Sequence, residues 1–159
     1  MVTHYFGTRE ALIDGVVDTF SDWPEQIREL EANETDPRAR LRLFLRWLVP
    51  YDDEALMEER GRINLLAERE RHAPIENLFN SADAKIRELL DDRLRGLVPT
   101  KERASVVDLL RTVTNGITLA TIEHPGEWDA DRQFAVIDRM LALLGLLPSK
   151  GPVPRTRTR

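Results

Sequence analysis

From Val106 to Leu147, apolar side chains recur at the three- and four-residue steps that place them on one face of a helix. Phe134, Ile137, Leu141 and Leu144 make one stripe in the later part, and Val136, Met140, Leu143 and Leu147 make a second beside it. In the earlier part Val106, Leu110, Val113, Ile117 and Ala120 form a row, with Leu109 and Gly116 alongside. The polar turn His124-Pro125-Gly126-Glu127-Trp128-Asp129 divides the two segments. A helix facing one core needs an apolar arc of roughly 100°, and these arcs are wider. Two helices with two apolar sides each need two burial surfaces. The same pair from a second copy supplies the missing surface most simply, as a two-fold four-helix interface. Its predicted contacts are Leu109, Val113, Gly116, Ile117, Phe134, Ile137, Leu141 and Leu144. The alternative places both helices in the middle of one larger bundle.

Upstream, the punctuation predicts further helices. One starts after Thr8 and carries Leu12, Ile13, Val16, Val17 and Phe20, with Pro24 opening a new segment or a kink. Asp36 then caps a helix with Pro37 at its first position and Leu41, Phe44, Leu45 and Leu48 as its apolar face, stopped by Pro50. Asp52 or Asp53 caps a helix predicted to run to about His72, with Leu56, Met57, Ile63, Leu65 and Leu66. Pro74 opens the next, with Ile75, Leu78, Phe79, Ala82, Ile86 and Leu89 or Leu90 inward, ending near Gly96 and Pro99. The helix bearing the first row of the C-terminal pair opens near Lys101. The fold class is all-α, about six helices, and no internal repeat interrupts it.

Composition narrows the chemistry. The 159 residues suit one domain, and there is no cysteine, which excludes disulfides, thiolate metal sites and thiol nucleophiles. No apolar run is long enough for a membrane span, and Met1 is not followed by a signal-peptide pattern, so no membrane partner and a cytoplasmic location are expected. The net charge of −5 is uneven: Lys150, Arg155, Arg157 and Arg159 bring +4 to residues 148–159, leaving −9 on the rest. An acidic body is a poor general surface for nucleic acid. The proline-containing basic end reads as a disordered tail.

Gly7 can end a helix in the left-handed conformation, Thr8 can cap the next, and Glu10 suits its first turn. The string Val2-Thr3-His4-Tyr5-Phe6-Gly7-Thr8-Arg9-Glu10-Ala11-Leu12 resembles the end of the recognition helix and start of the linker helix in TetR-family transcriptional regulators. Phe6, Gly7, Thr8, Arg9, Glu10 and Leu12 follow the family pattern, whereas Thr3, His4 and Tyr5 depart from its commoner Tyr-Tyr-His order. Thr114-Asn115-Gly116-Ile117-Thr118-Leu119 is similar to the family's Asp-Gly-Leu run in its first dimer helix. The resemblance implies a remnant of a helix-turn-helix in residues 1–7, a linker helix with a ligand-binding and dimerisation domain in 8–147, and the tail in 148–159. It also implies residual DNA contacts: His4 and Arg9 to phosphates, Thr3 facing the operator, and Tyr5 within the aromatic cluster. The implied partners are a second copy, a small-molecule effector, and operator DNA only where a complete helix-turn-helix is present.

No phosphate loop, nucleophile elbow or nucleotide fingerprint occurs, and no cofactor or metal is expected. Polar residues set in the apolar helix after Lys101 are more informative. In TetR-like folds the effector cavity lies between that helix and those before it, which makes Phe44, Trp47, Tyr51, Asn64, Phe79, Thr112 and Asn115 its expected walls. Alternatively, the threonines bond back to their own helix and Asn115 fixes the dimer register. Two rival functions remain. One is a helical enzyme or metal carrier built on Glu68 and His72, and the other is a headless partner that heterodimerises with a full-length regulator.

Overall fold

The computed structural model describes residues 22–71 and 73–148. Within them the chain is helical, with no strand. Helix α1 covers 22–31, α2 is Pro37–Trp47, α3 is Asp53–Leu66, α4 is Ala73–Leu94, α5 is Thr100–Glu123 and α6 is Ala130–Leu143, with a 3₁₀ turn at Arg69–Arg71 before α4.

Local chemistry sets most boundaries. The Asp36 carboxylate accepts from the Arg38 amide at 3.0 Å, with Pro37 in the first turn of α2. Asp52, rather than Asp53, caps α3 by accepting from the Ala55 amide at 2.8 Å. Asp129 caps α6 through the Arg132 amide at 2.9 Å. The C-terminus of α6 closes on Gly145 at φ +69°, with the Leu146 amide donating to the Leu141 carbonyl and the Gly145 amide to that of Ala142. These bonds satisfy carbonyls that the helix end leaves open. Helix α3 stops at Leu66, short of the predicted end near His72. Beyond Leu66 comes Ala-Glu-Arg-Glu-Arg, which offers no large apolar side chain to hold another α-turn against the core.

The core is one cluster in which Leu41, Phe44 and Leu45 of α2, Leu90 and Leu94 of α4, Leu110 of α5, and Ile137 and Leu141 of α6 are fully buried. Helix α2 lies between α4 and α6. Two helices are held more lightly. Leu65 is the one buried side chain of α3, and the described part of α1 buries only Ile27 and Glu31.

Candidate functional site

Helices α5 and α6 both have two apolar sides, and the sides differ in what they face. Inward, α5 buries Val107, Leu110, Thr114, Ile117, Thr118 and Thr121, while α6 buries Gln133, Ile137, Met140 and Leu141. Outward, α5 exposes Leu109, Gly116 and Leu119, and α6 exposes Ala135, Ala142 and Leu143, followed by Leu147. This sorts the predicted interface. Leu109 and Gly116 do face out, and Val113, Phe134 and Leu144 are half-buried. Ile117, Ile137 and Leu141 are corrected: they are enclosed by their own subunit and have no surface left for a partner. The stripe built on Phe134 packs towards α2 and the loop that follows it, where Phe134 lies beside Tyr51 at 6.0 Å between ring centres. The apolar surface left over belongs to the second series, through Leu143 and Leu147.

The polar residues of α5 sort the same way. Thr114 donates to the Arg111 carbonyl at 3.0 Å and Thr121 to that of Ile117 at 2.8 Å, so these two hydroxyls are satisfied by their own helix. Thr112 and Asn115 are exposed and do not wall an interior cavity as predicted. Of the other expected walls, Phe44 is fully buried and stacks on half-buried Trp47 at 5.8 Å, Phe79 is half-buried, and Tyr51 and Asn64 are exposed.

Charged side chains that the sequence pattern did not single out tie the helices together. Asp138 of α6 accepts from Arg42 Nε at 2.7 Å and Nη2 at 2.5 Å, and from Arg46 Nη2 at 3.0 Å. The Arg42 bonds, outweighing partial desolvation, hold the Asp138 carboxyl below the usual carboxylate range. Arg46 also lies over the Phe134 ring at 4.5 Å. Gln133, buried in the first turn of α6, donates to the carbonyls of Pro50 and Trp128, both at 2.9 Å, and so fixes the loops before α3 and α6. Asp83 and Arg87, paired one turn apart on α4, extend into α5: Asp83 accepts from Arg111 at 2.8 Å, and Arg87 donates to Asp108 at 2.5 Å. Burial would raise the Asp83 carboxyl, but the bonds from Arg111 and Arg87 outweigh it and lower its pKa.

The end of α1 is anchored by one carboxylate. Glu31 is 7% exposed; its Oε1 accepts from Arg93 Nε of α4 at 2.7 Å and its Oε2 from Arg40 Nη2 of α2 at 3.0 Å. Arg93 also donates to the Leu89 carbonyl at 2.8 Å and stands over the Phe44 ring at 4.2 Å. Above this pair opens a cleft of about 410 Å³, bordered by Pro24, Ile27, Arg28 and Glu34 among others and by none of the predicted pocket residues. Trp23 of α1 meets Trp47 edge-on at 5.5 Å.

Thr3, His4, Tyr5 and Arg9 lie outside the described residues, as does His72. Glu68 is half-buried in the connection after α3. Among the described residues no group of three or more His, Asp or Glu could hold a metal ion, and no helix is long and apolar enough to cross a membrane.

No curated protein compared with the chain matches it. The structure is similar to the crystal structure of a transcriptional regulator from Rhodococcus sp. Rha1, with a TM-score of 0.75 and 19% identity over 90% of this chain and 76% of that one, a likeness of fold. Residues 37–145, well over half of the chain and spanning α2 to the end of α6, match the family described as BetI-type transcriptional repressor, C-terminal. With an all-α fold and a C-terminal helix pair of this kind, the chain belongs to that family and carries the C-terminal regulatory domain of a TetR-type transcriptional regulator.

Proposed function

We propose that the chain is the effector-binding and dimerisation core of a TetR-family repressor, with two copies joined through the outward faces of α5 and α6. The observation that carries this reading is the set of large apolar side chains that both helices turn to solvent, Leu109 and Leu119 on one and Leu143 on the other. Soluble monomers rarely leave such surface uncovered without a partner. The effector is a small, mainly apolar molecule received beneath α3. That helix has a single buried side chain, while Leu56, Ile63 and Leu66 are only half-buried, so a ligand that completed their packing would gain contact area at little cost in displaced structure. Binding would then alter the angle of α1 and with it the spacing of two DNA-reading heads, which must match successive major grooves. The effector must bind the two dimer geometries with different affinity, since equal affinity shifts nothing.

Sedimentation equilibrium on the 159-residue chain tests the assembly. A dimer at tens of micromolar is expected, and a stable monomer there would overturn it. The effector step is tested with a regulator carrying a complete helix-turn-helix joined to this domain. An apolar ligand that binds the domain should release operator DNA in a mobility-shift assay, and retention of the DNA at saturating ligand would refute relief of repression.

A further inference from the structure

We propose that α5 packs antiparallel on the α5 of a second copy, about a two-fold axis through Thr112. This rests on the dimer reading above and goes beyond it by fixing which helix meets which, and in what register. The outward stripe of α5 runs at three- and four-residue steps through Ser105, Leu109, Thr112, Gly116 and Leu119, all exposed, with Lys101 at one end and Glu123 at the other. An antiparallel copy turns the stripe end for end, so residues equally far from Thr112 on its two sides meet across the axis. Leu119 then faces the partner's Ser105, and Leu109 reaches the gap at the partner's Gly116. Large side chains meet small ones along the whole stripe.

Two further features of α5 find no reason inside one subunit. Gly116 sits mid-helix, where glycine lowers stability relative to alanine, yet no atom from another part of the subunit lies within 4 Å of where its Cβ would stand. The space over it is open to a side chain from outside. Lys101 is in the first turn of α5 and Glu123 in the last, so each carries the sign that its end of the helix dipole disfavours. The Lys101 side chain is 82% exposed, and its ion pair with neighbouring Glu102 is 3.9 Å long. An antiparallel partner corrects both ends together. Lys101 comes to the partner's Glu123, and Glu123 to Lys101 of the partner subunit. Stacking α5 on the partner's α6 instead, with the two 124–129 turns at one end, would set Glu123 against the partner's Asp131, a like charge in the first turn of α6. The antiparallel arrangement also lays α6 over the partner's α6, where Leu143, 71% exposed, needs cover.

The chain has no cysteine, so a single introduced thiol reports on its own surroundings. Thr112→Cys places two thiols at the axis, within disulfide reach of each other. Oxidation of the 159-residue variant with copper–phenanthroline should turn most of it into a covalent dimer on a non-reducing gel. Met57→Cys, exposed on α3, is the collision control and should stay monomeric on the same gel. Sedimentation equilibrium at low salt tests the ends of the stripe. Lys101→Glu and Glu123→Lys should each raise the dimer Kd at least ~fivefold, because each sets like charges together at two symmetric places. The double variant restores opposite charges and should return to within about twofold of the parent. Cross-linking of Thr112→Cys no greater than that of Met57→Cys, or a double variant as weak as the single ones, would overturn the proposal. A parent chain that sediments as a dimer while Thr112→Cys fails to cross-link refutes this register and leaves the assembly standing. A parent chain that sediments as a monomer removes the assembly itself, and this inference with it.

Discussion

Leu141 and Leu143 are two residues apart on α6 and should respond to substitution in opposite ways. Leu141 is fully buried and Leu143 is 71% exposed within the subunit, against 42% for Leu109, 46% for Leu119 and 38% for Leu147. Together these four leave roughly two leucine side chains' worth of surface in water, or ~3–6 kcal/mol per subunit once covered. Leu143 accounts for about 1–2 kcal/mol of that, counted twice in a two-fold dimer, so its loss costs about 2–4 kcal/mol of association. Leu143→Glu also brings an uncompensated charge into the interface. The dimer dissociation constant should therefore rise by at least ~30-fold. Sedimentation equilibrium over a concentration series measures it, and circular dichroism should show unchanged helix content. Leu141→Ala instead opens a cavity in the core, for about 2–5 kcal/mol of folding stability. That corresponds to a fall in Tm of about 4–20 °C for a domain of this size. Met57→Glu is the control, because Met57 is 66% exposed but sits on α3, and it should leave association unchanged. If Leu143→Glu dimerises as tightly as the parent, or Met57→Glu disrupts the dimer equally, the outward face of α6 is not the contact and the assignment fails.

Asp138→Asn should cost about 1–2 kcal/mol at pH 7, because it removes the anion shared by Arg42 and Arg46 at a partly exposed site. The folded pKa of Asp138 is depressed, so its contribution is present above the unfolded value of about 3.9 and is lost as pH falls through the lower folded value. Urea unfolding of parent and variant should therefore converge in acid, and a gap independent of pH would refute the assignment. Gly145→Ala puts a side chain at φ +69° with no neighbouring atom in its way, so the penalty is backbone strain alone, about 1 kcal/mol by the same measurement. Glu58→Gln should raise Tm slightly at pH 7, since desolvation and then Glu54, Glu59 and Asp52 push the Glu58 carboxyl up. A group with a raised folded pKa favours folding below its unfolded pKa and loses that contribution as pH rises, so the gain should vanish near pH 4.

What the sequence made legible was whatever depends on neighbours along the chain. The caps at Asp36 and Asp52, the breaks near Pro50, Gly96 and Pro99, and the excess apolar surface of the last two helices follow from local spacing. Which stripe of α6 faces inward does not, because Ile137 and Leu143 are equally apolar and only the position of α2 distinguishes them. The same holds for Thr112 and Thr114, alike in chemistry and opposite in exposure. One long-range tie did leave a signal. Arg38, Arg42 and Arg46 repeat at four-residue steps along one side of α2, and Asp138 is the one acid of α6 beyond its first turn, next to apolar Ile137. A basic row and an isolated acid on two amphipathic helices suggest that those helices touch. Glu31 left none, for its partners are 9 and 62 residues away in a chain rich in exposed acid–arginine pairs.

The two sides of α2 differ in how readily they could move. Towards α4 and α6, α2 presents Leu41, Phe44 and Leu45, all fully buried, and the Arg42–Asp138 bonds reinforce the α6 contact. Sliding α2 against α6 would expose close-packed side chains, each worth ~1.5–3 kcal/mol when covered. Towards α1 the described contacts are fewer: Ile27, the edge of Trp23 on Trp47, and the Glu31 carboxylate. An ion pair can exchange partners for another anion or for water without opening a cavity, and an apolar contact cannot. Under the effector binding proposed above, α1 should therefore yield while α2, α4, α5 and α6 keep their arrangement. The proposed regulation requires that division, since an α5–α6 platform that loosened together with α1 would lose the fixed reference against which the spacing of two DNA heads would be set.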